Sequence, residues 1–265
     1  MLRWFEHSQV YHPDRVLIAT GRELDRPFED LRLKTSDGVR IHSWFFPADQ
    51  DSPRKKTVLL VCHGNAGNIS HRLSLAQALL QTGVNVFLFD YRGFGESEGV
   101  PSEEGTYLDA QAAYQWLAAK GFAGGNIILF GESLGGGIAS ELALREKIGG
   151  LVLQSTFSCI PDIGAELFPW LPVRWMASIK YSTCEKLPRI KVPVLVMHSR
   201  TDALIRFRHA EKNFARANEP KLMWELQGDH NESVMDEQHF IAGIEKFLKM
   251  IETRRGSQSV ERPEH

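Results

Sequence analysis

"NIILFGESLGGGIASELAL", residues 126–144, is the stretch on which the fold turns. A short β-branched and aromatic run at 126–130 feeds a serine boxed by glycines, and the residues from Leu134 onward have the Ala, Leu and Glu content of a helix. A plain strand-to-helix turn needs one glycine, yet Gly131, Gly135, Gly136 and Gly137 all surround Ser133. The central pattern, Gly131-Glu132-Ser133-Leu134-Gly135, reads G-x-S-x-G. Glycines two residues either side of a serine let strand and helix approach without a clash at Cβ, and hold the serine in strained dihedrals at the tip of the turn. The hydroxyl is then lifted clear of the sheet. An incidental serine in a glycine-rich turn would give the same five letters, so partners elsewhere in the chain must decide.

Outward from this stretch, compact apolar runs alternate with helical ones. Strands are expected over 58–62, 85–89, 126–130, 151–154, 194–197 and 221–226, and helices over 72–81, 103–120, 134–146, about 208–217 and about 236–251. Such alternation means βαβ crossovers and an α/β fold, a mostly parallel central sheet with helices on both faces. Ahead of it, "LRLKTSDGVRIHSWFF" (31–46) offers two β-rich runs joined at Asp37-Gly38, the signature of an antiparallel hairpin. The rhythm breaks over about 157–186, which is aromatic, proline-punctuated and too long for an ordinary connection. It reads as a short lid insertion of one or two small helices over the edge of the sheet. One domain is expected over 30–252, preceded by an irregular arm (1–29) and followed by a polar, disordered tail (253–265).

Composition narrows the function. A chain of 265 residues with 43% hydrophobic content suits a single sizeable core. A formal charge of −2, with no Lys/Arg-rich block, lacks the electrostatic footprint of a nucleic-acid binder. Cys62, Cys159 and Cys184 are odd in number and form no C-x-x-C, which points to free thiols and not to a zinc site or disulfide framework. His71, His198, His209 and His239 show no metal-ligand spacing, so neither metal nor cofactor is expected. No apolar run approaches the length of a membrane span, and "MLRWFEHSQVYHPDRVL" lacks the apolar core of a signal peptide. The expectation is a cytoplasmic protein without a transmembrane segment.

A serine hydroxyl is a weak nucleophile, so the elbow needs a histidine base and an acid to orient it. In open parallel sheets reactive groups gather at the carboxyl ends of the strands. Asp202 follows the strand "VPVLVMHS", and His230 follows "LMWEL" in "QGDHNES". The order Ser133, Asp202, His230 is the nucleophile–acid–base order of this layout. Asp90, in "FDYRGFGES", is the rival acid by position, although an Asp ahead of a glycine-rich turn also caps backbone N–H groups. Asp229 reads as a solvated or loop-bonding residue, His63 as a residue that fixes its own loop, and Glu132 as one that orients it.

Taken together, "VCHGNAGN", "FDYRGFGES", "GESLGG", "SRTDALI" and "GDHNES" give the chain, over roughly residues 30–250, a resemblance to the α/β-hydrolase superfamily. They are similar to a branch of small-lid serine hydrolases with serine aminopeptidase-like and acyl-thioesterase-like members. The resemblance implies an oxyanion hole from the backbone N–H groups of Asn65, after the His63-Gly64 pair, and Leu134, after the nucleophile. The chain departs from the family in reading His198-Ser199 where His-Gly is usual. The implied activity is cofactor-independent hydrolysis of a carboxylic ester or thioester. Amide hydrolysis by the same residues, or a non-catalytic binding module on the same fold, remain the alternatives. Phe157, Phe168, Trp170 and Trp175 are candidates to line the substrate pocket or simply to pack the lid. Three prolines in the insertion, Pro161, Pro169 and Pro172, suit a pocket for short acyl chains.

Overall fold

The computed structural model describes residues 2–232 and 236–260. Eight strands form one sheet: β1 Glu29–Lys34, β2 Arg40–Phe46, β3 Val58–Cys62, β4 Asn85–Phe89, β5 Ile127–Glu132, β6 Gly150–Gln154, β7 Val194–Ser199 and β8 Lys221–Leu226. Their spatial order is β8-β7-β6-β5-β3-β4-β2-β1. The pair β1–β2 is antiparallel, as is β2–β4, and every other neighbouring pair is parallel. The hairpin turns at Gly38, whose φ of +92° suits a residue without a Cβ.

Residues of β3, β4, β6 and β7 are buried throughout, which is why those segments read as continuous apolar runs. Side chains alternate across the sheet. Leu60 and Cys62 of β3 enter one apolar layer with Tyr107, Leu117, Ile138 and Leu142, which come from α3 (Glu103–Ala119) and α4 (Leu134–Arg145). Leu59 and Val61 enter the other, against Leu75, Leu79, Phe240 and Phe247 of α2 (Leu73–Leu80) and α9 (Glu237–Val260). Ser102 caps α3, its hydroxyl accepting from Gly105 N at 3.1 Å, with Glu103 and Glu104 in the positive first turn.

Three segments differ from expectation. The arm ahead of the hairpin is not irregular: Leu2–Val10 is a helix, α1, followed by His12–Pro13, which pairs in parallel with Ala66–Gly67. The last helix runs on to Val260, through eight of the thirteen residues (253–265) expected to be disordered; residues 261–265 lie outside the described residues, as does Ser233 of "GDHNES". The insertion between β6 and β7 carries three short helices where one or two were expected, α5 (Ile160–Leu167), α6 (Val173–Met176) and α7 (Thr183–Lys186), and α8 (Arg208–Arg216) follows β7. Ion pairs from Asp162 to Lys212 and from Glu166 to Arg208 hold α5 on α8. No helix among the described residues is long and apolar enough to cross a membrane.

Arg92 ties the loop after β4 to the rest of the domain. Its guanidinium bonds Asp109 of α3 at 2.9 Å and Asp37 of the hairpin turn at 2.7 Å, and Asp109 is wholly buried. Burial pushes the Asp109 carboxyl up to about 6 even with Arg92 beside it. Removing the guanidinium strands a buried carboxyl, so Arg92→Met should lower the unfolding free energy by about 3 kcal/mol in urea titrations. Adding Asp109→Asn should recover part of that loss. A double variant no more stable than Arg92→Met would contradict the account.

Candidate active site

β5 ends at Glu132 and α4 begins at Leu134, so Ser133 alone makes the turn, with φ 51° and ψ −113°. A non-glycine residue pays about 1–3 kcal/mol for such a conformation and keeps it only where the surroundings fix it. They do: Ser133 N donates to Gln154 O of β6 at 2.9 Å. A Cβ on Gly135 would stand 1.9 Å from Cys62 O, and one on Gly131 would stand 2.5 Å from the Cα of Gly136. The two outer glycines of G-x-S-x-G are therefore steric requirements of this turn.

Asp202 follows β7 and His230 follows β8. His230 Nδ1 donates to Asp202 Oδ2 at 2.7 Å, which leaves Nε2 as the lone-pair nitrogen of the neutral ring. Asp202 Oδ1 accepts from Ile205 N at 2.7 Å and Leu204 N at 3.0 Å. Burial alone would raise the Asp202 carboxyl, but hydrogen bonds from His198, His230 and Ile205 N outweigh it and hold it well below the ordinary carboxylate range. Asp90 is also buried, but its Oδ1 accepts from Ile69 N at 2.9 Å and lies 3.5 Å from His63 Nε2, with no contact to His230.

The serine that replaces the usual glycine at 199 has its own task. Ser199 Oγ donates to Gly228 O and accepts from Thr201 N, joining the turn that carries Asp202 to the loop that carries His230. Asp229 Oδ1 makes a second seam, accepting from Ala203 N at 2.8 Å and His230 N at 2.7 Å. Of the two roles its sequence position left open, solvated or loop-bonding, it takes the second.

Leu134 is the first residue of α4, so its N–H has no partner within the helix and sits at the positive end of the dipole. The loop holding Asn65 is fixed by its neighbours. Gly64 N donates to Glu132 Oε2 at 3.2 Å, Arg72 Nε donates to the same oxygen at 2.7 Å, and His63 Nδ1 lies 2.7 Å from Gly64 O. Burial works to raise the Glu132 carboxyl, yet the Arg72 charge lowers it on balance.

Ser133, His230, Asn65 and Leu134 line one cavity of about 490 Å³. Ser133 is 7% exposed, and its hydroxyl makes no hydrogen bond to His230 in this conformation. Hydrogen bonds between candidate catalytic groups often tighten only around substrate. Lid side chains supply an apolar wall, among them Phe157, Ile163, Leu167, Phe168 and Met176.

Two of the four candidate lining residues do not belong there. Trp170 and Trp175 are 74% and 93% exposed and are not among the side chains that line the cavity. In the single turn of α6, Val173 and Met176 are three residues apart and share the cavity face, which puts Trp175 on the other. Trp170 sits between Pro169 and Pro172, its ring edge-on to Phe168 with centroids 6.2 Å apart. The cavity also draws on residues that sequence reasoning missed: Phe5, Glu6, Gln9, Val10 and His12 of the N-terminal arm. Phe5, Glu6, Gln9 and Val10 share one helical face by their spacing, the only local signal they carry.

Comparison with known proteins agrees with this architecture. The family model described as "alpha/beta hydrolase fold" matches residues 57–180. The "Uncharacterized protein Rv2307c" of Mycobacterium tuberculosis is 35% identical over 252 residues, covering 94% of this chain and 89% of the relative. The alpha/beta hydrolase domain-containing protein WAV2 of Arabidopsis thaliana is 34% identical over 235 residues, covering 80% and 76%. The chain belongs to the α/β-hydrolase family. Among solved structures, the Pyrococcus furiosus esterase Pf2001 superposes with a TM-score of 0.74 at 21% identity, covering 91% of this chain and 98% of its own. An alpha-beta hydrolase from Vibrio vulnificus does so with a TM-score of 0.69 at 21% identity, covering 83% and 81%.

The elbow makes a direct prediction. Gly135→Ala places a methyl group against backbone that cannot yield, and should lower stability by about 3 kcal/mol or abolish soluble expression. A thermal melting curve superposable on that of the unmodified protein would refute the packing described.

Proposed function

We propose that this protein is a serine hydrolase that cleaves carboxylic esters or thioesters through an acyl-enzyme. The observation that carries the reading is the strained Ser133, which lines the same cavity as a histidine whose Nδ1 is held at 2.7 Å by Asp202. In this mechanism Ser133 Oγ attacks the acyl carbonyl while its proton passes to His230 Nε2. The oxyanion is met by the Asn65 and Leu134 N–H groups. Collapse of the tetrahedral adduct expels the alkoxide or thiolate, which takes its proton from His230. Water then attacks the acyl-serine with His230 as base, releasing the carboxylic acid and restoring Ser133. Asp202 holds the ring in the required tautomer and offsets the charge it acquires. No step calls for a metal or cofactor.

The cavity favours acyl transfer from an ester or thioester over removal of an amino-terminal residue from a peptide. A free α-amino group calls for an unengaged carboxylate beside the nucleophile. Both carboxylates that line the cavity are engaged, Glu132 by Arg72 and Glu6 by the backbone N–H groups of Ser178 and Ile179. The apolar lid wall suits an acyl chain.

A fluorophosphonate should label Ser133 and leave Ser133→Ala unlabelled, whereas a binding module with the same fold would take up no label. With p-nitrophenyl butyrate, Asp202→Asn should lower kcat by about 10⁴-fold, as expected when the histidine is left in the wrong tautomer. Asp90→Asn in folded protein should lose far less, and the opposite ranking would move the acid to Asp90.

The pH dependence follows from the depressed Asp202 carboxyl. A depressed acid is ionised from well below its ordinary value of about 4 upward, and the stability it contributes is complete above that ordinary value and lost progressively as pH falls from it through the depressed value. Activity should therefore show no acid-side loss from protonation of Asp202, and log(kcat/KM) should fall with a slope no steeper than one. A slope of two would mean that the carboxylate titrates in the same range.

A further inference from the structure

The chain ahead of the sheet is fastened to both sides of the cavity. On the oxyanion-loop side, His12 N donates to Asn65 O at 2.9 Å, the Asn65 side-chain amide donates to Val10 O at 2.9 Å, and Asp14 N donates to Gly67 O at 3.1 Å. On the lid side, the Glu6 carboxylate accepts from Ser178 N at 2.7 Å, from Ile179 N at 2.9 Å and from the Ser178 hydroxyl. The Phe5 ring stands edge-on to Phe168 at 6.3 Å, and the buried hydroxyls of Tyr11 and Tyr181 bond at 2.9 Å. Between these moorings, Phe5, Glu6, Gln9 and Val10 face the cavity itself.

A helix of nine residues is not stable alone, so α1 owes its order to these contacts. The converse also holds. Asn65 is the residue whose N–H is assigned to the oxyanion, and its side chain and carbonyl are both bonded to the arm. Among the described residues, Ser178 N and Ile179 N, in the run of chain between α6 and α7, find their acceptor in Glu6.

We propose that residues 2–14 form a strap that positions the oxyanion loop through the Asn65 side chain and latches the lid through Glu6, so that the arm is a specificity-determining part of the site. The proposal rests on the serine-hydrolase reading above. In it, Asn65 and Glu6 act through what they position: the amide of Asn65 sets where its own N–H points, and Glu6 sets how far the lid closes the acyl cavity. Ordinary surface packing of a terminal helix would stabilise the fold without linking the lid to a loop on the other side of the arm.

Two readouts test it, one of them independent of turnover. In Glu6→Ala, amide hydrogen exchange should quicken at least about ten-fold not only at 178–182 but also at 64–68, with β5 and β6 unchanged. Unchanged exchange at 64–68 would overturn the strap, whatever the enzyme's activity. In the turnover assay, Asn65→Ala should lower kcat about ten-fold for every acyl length with KM held within about two-fold, because a displaced oxyanion donor is lost to the transition state and not to ground-state binding. Glu6→Ala and Phe5→Ala should instead reduce the preference for p-nitrophenyl butyrate over the palmitate, by about three-fold or more. Chain-length profiles superposable on that of the unmodified enzyme would sink the specificity role. If the unmodified protein turned over no ester at all, the serine-hydrolase reading would fall, and the exchange experiment would still decide the strap.

Discussion

A hydrogen atom in place of a methyl group at Gly135 lets α4 start against the end of β3. The missing Cβ would stand 1.9 Å from the Cys62 carbonyl oxygen and 2.8 Å from that of His63. Those carbonyls belong to the residues that lead directly into Gly64 and Asn65. One close approach therefore sets three things together: the strained conformation of Ser133, the direction of the α4 dipole, and the distance from that helix to the loop that carries Asn65. Separating helix and strand by the width of a methyl group would pull apart all three.

Around this contact the polar groups are tied down in advance. Glu132 joins the elbow to the loop that carries Asn65 through Gly64 N, and to Arg72. Ser199 and Asp229 join the acid's turn to the histidine's loop. Asp202 accepts two backbone N–H groups with one oxygen and His230 with the other, so its charge is balanced within the fold before any substrate arrives. Dipoles fixed beforehand need not reorganise when charge develops, which is where a site of this kind gains most of its effect.

Much of this was legible in the residues. β8 falls on 221–226 as its compact apolar run predicted, α3 and α4 end within a residue of expectation, and the hairpin turns at Asp37-Gly38. In each case the signal is local: an apolar period, a cap or a glycine. Asp202 and His230 could be placed at strand ends because topology brings strand ends together, even though 69 positions separate Asp202 from Ser133 in the chain. What stayed hidden depends on distant partners. α1 is ordered by Asn65, Ser178 and Tyr181, none of which its own sequence announces. The polar end of α9 is anchored where Arg255 Nη1 donates to Asn126 Oδ1 at 2.9 Å, a contact invisible in the composition of that segment. The four lid aromatics look alike in sequence. Phe157 and Phe168 reach the cavity, whereas a proline-bounded turn and one helical step send Trp170 and Trp175 to solvent.

The central claim is a covalent acyl intermediate on the elbow serine, and rapid-quench mass spectrometry addresses it most directly. On mixing with excess p-nitrophenyl butyrate, the protein should show a burst of p-nitrophenolate matched by a butyryl group on the peptide that contains Ser133, and the adduct should vanish as substrate is exhausted. Hydrolysis at full rate with no acylated peptide, or with the acyl group on a different residue, would contradict the account.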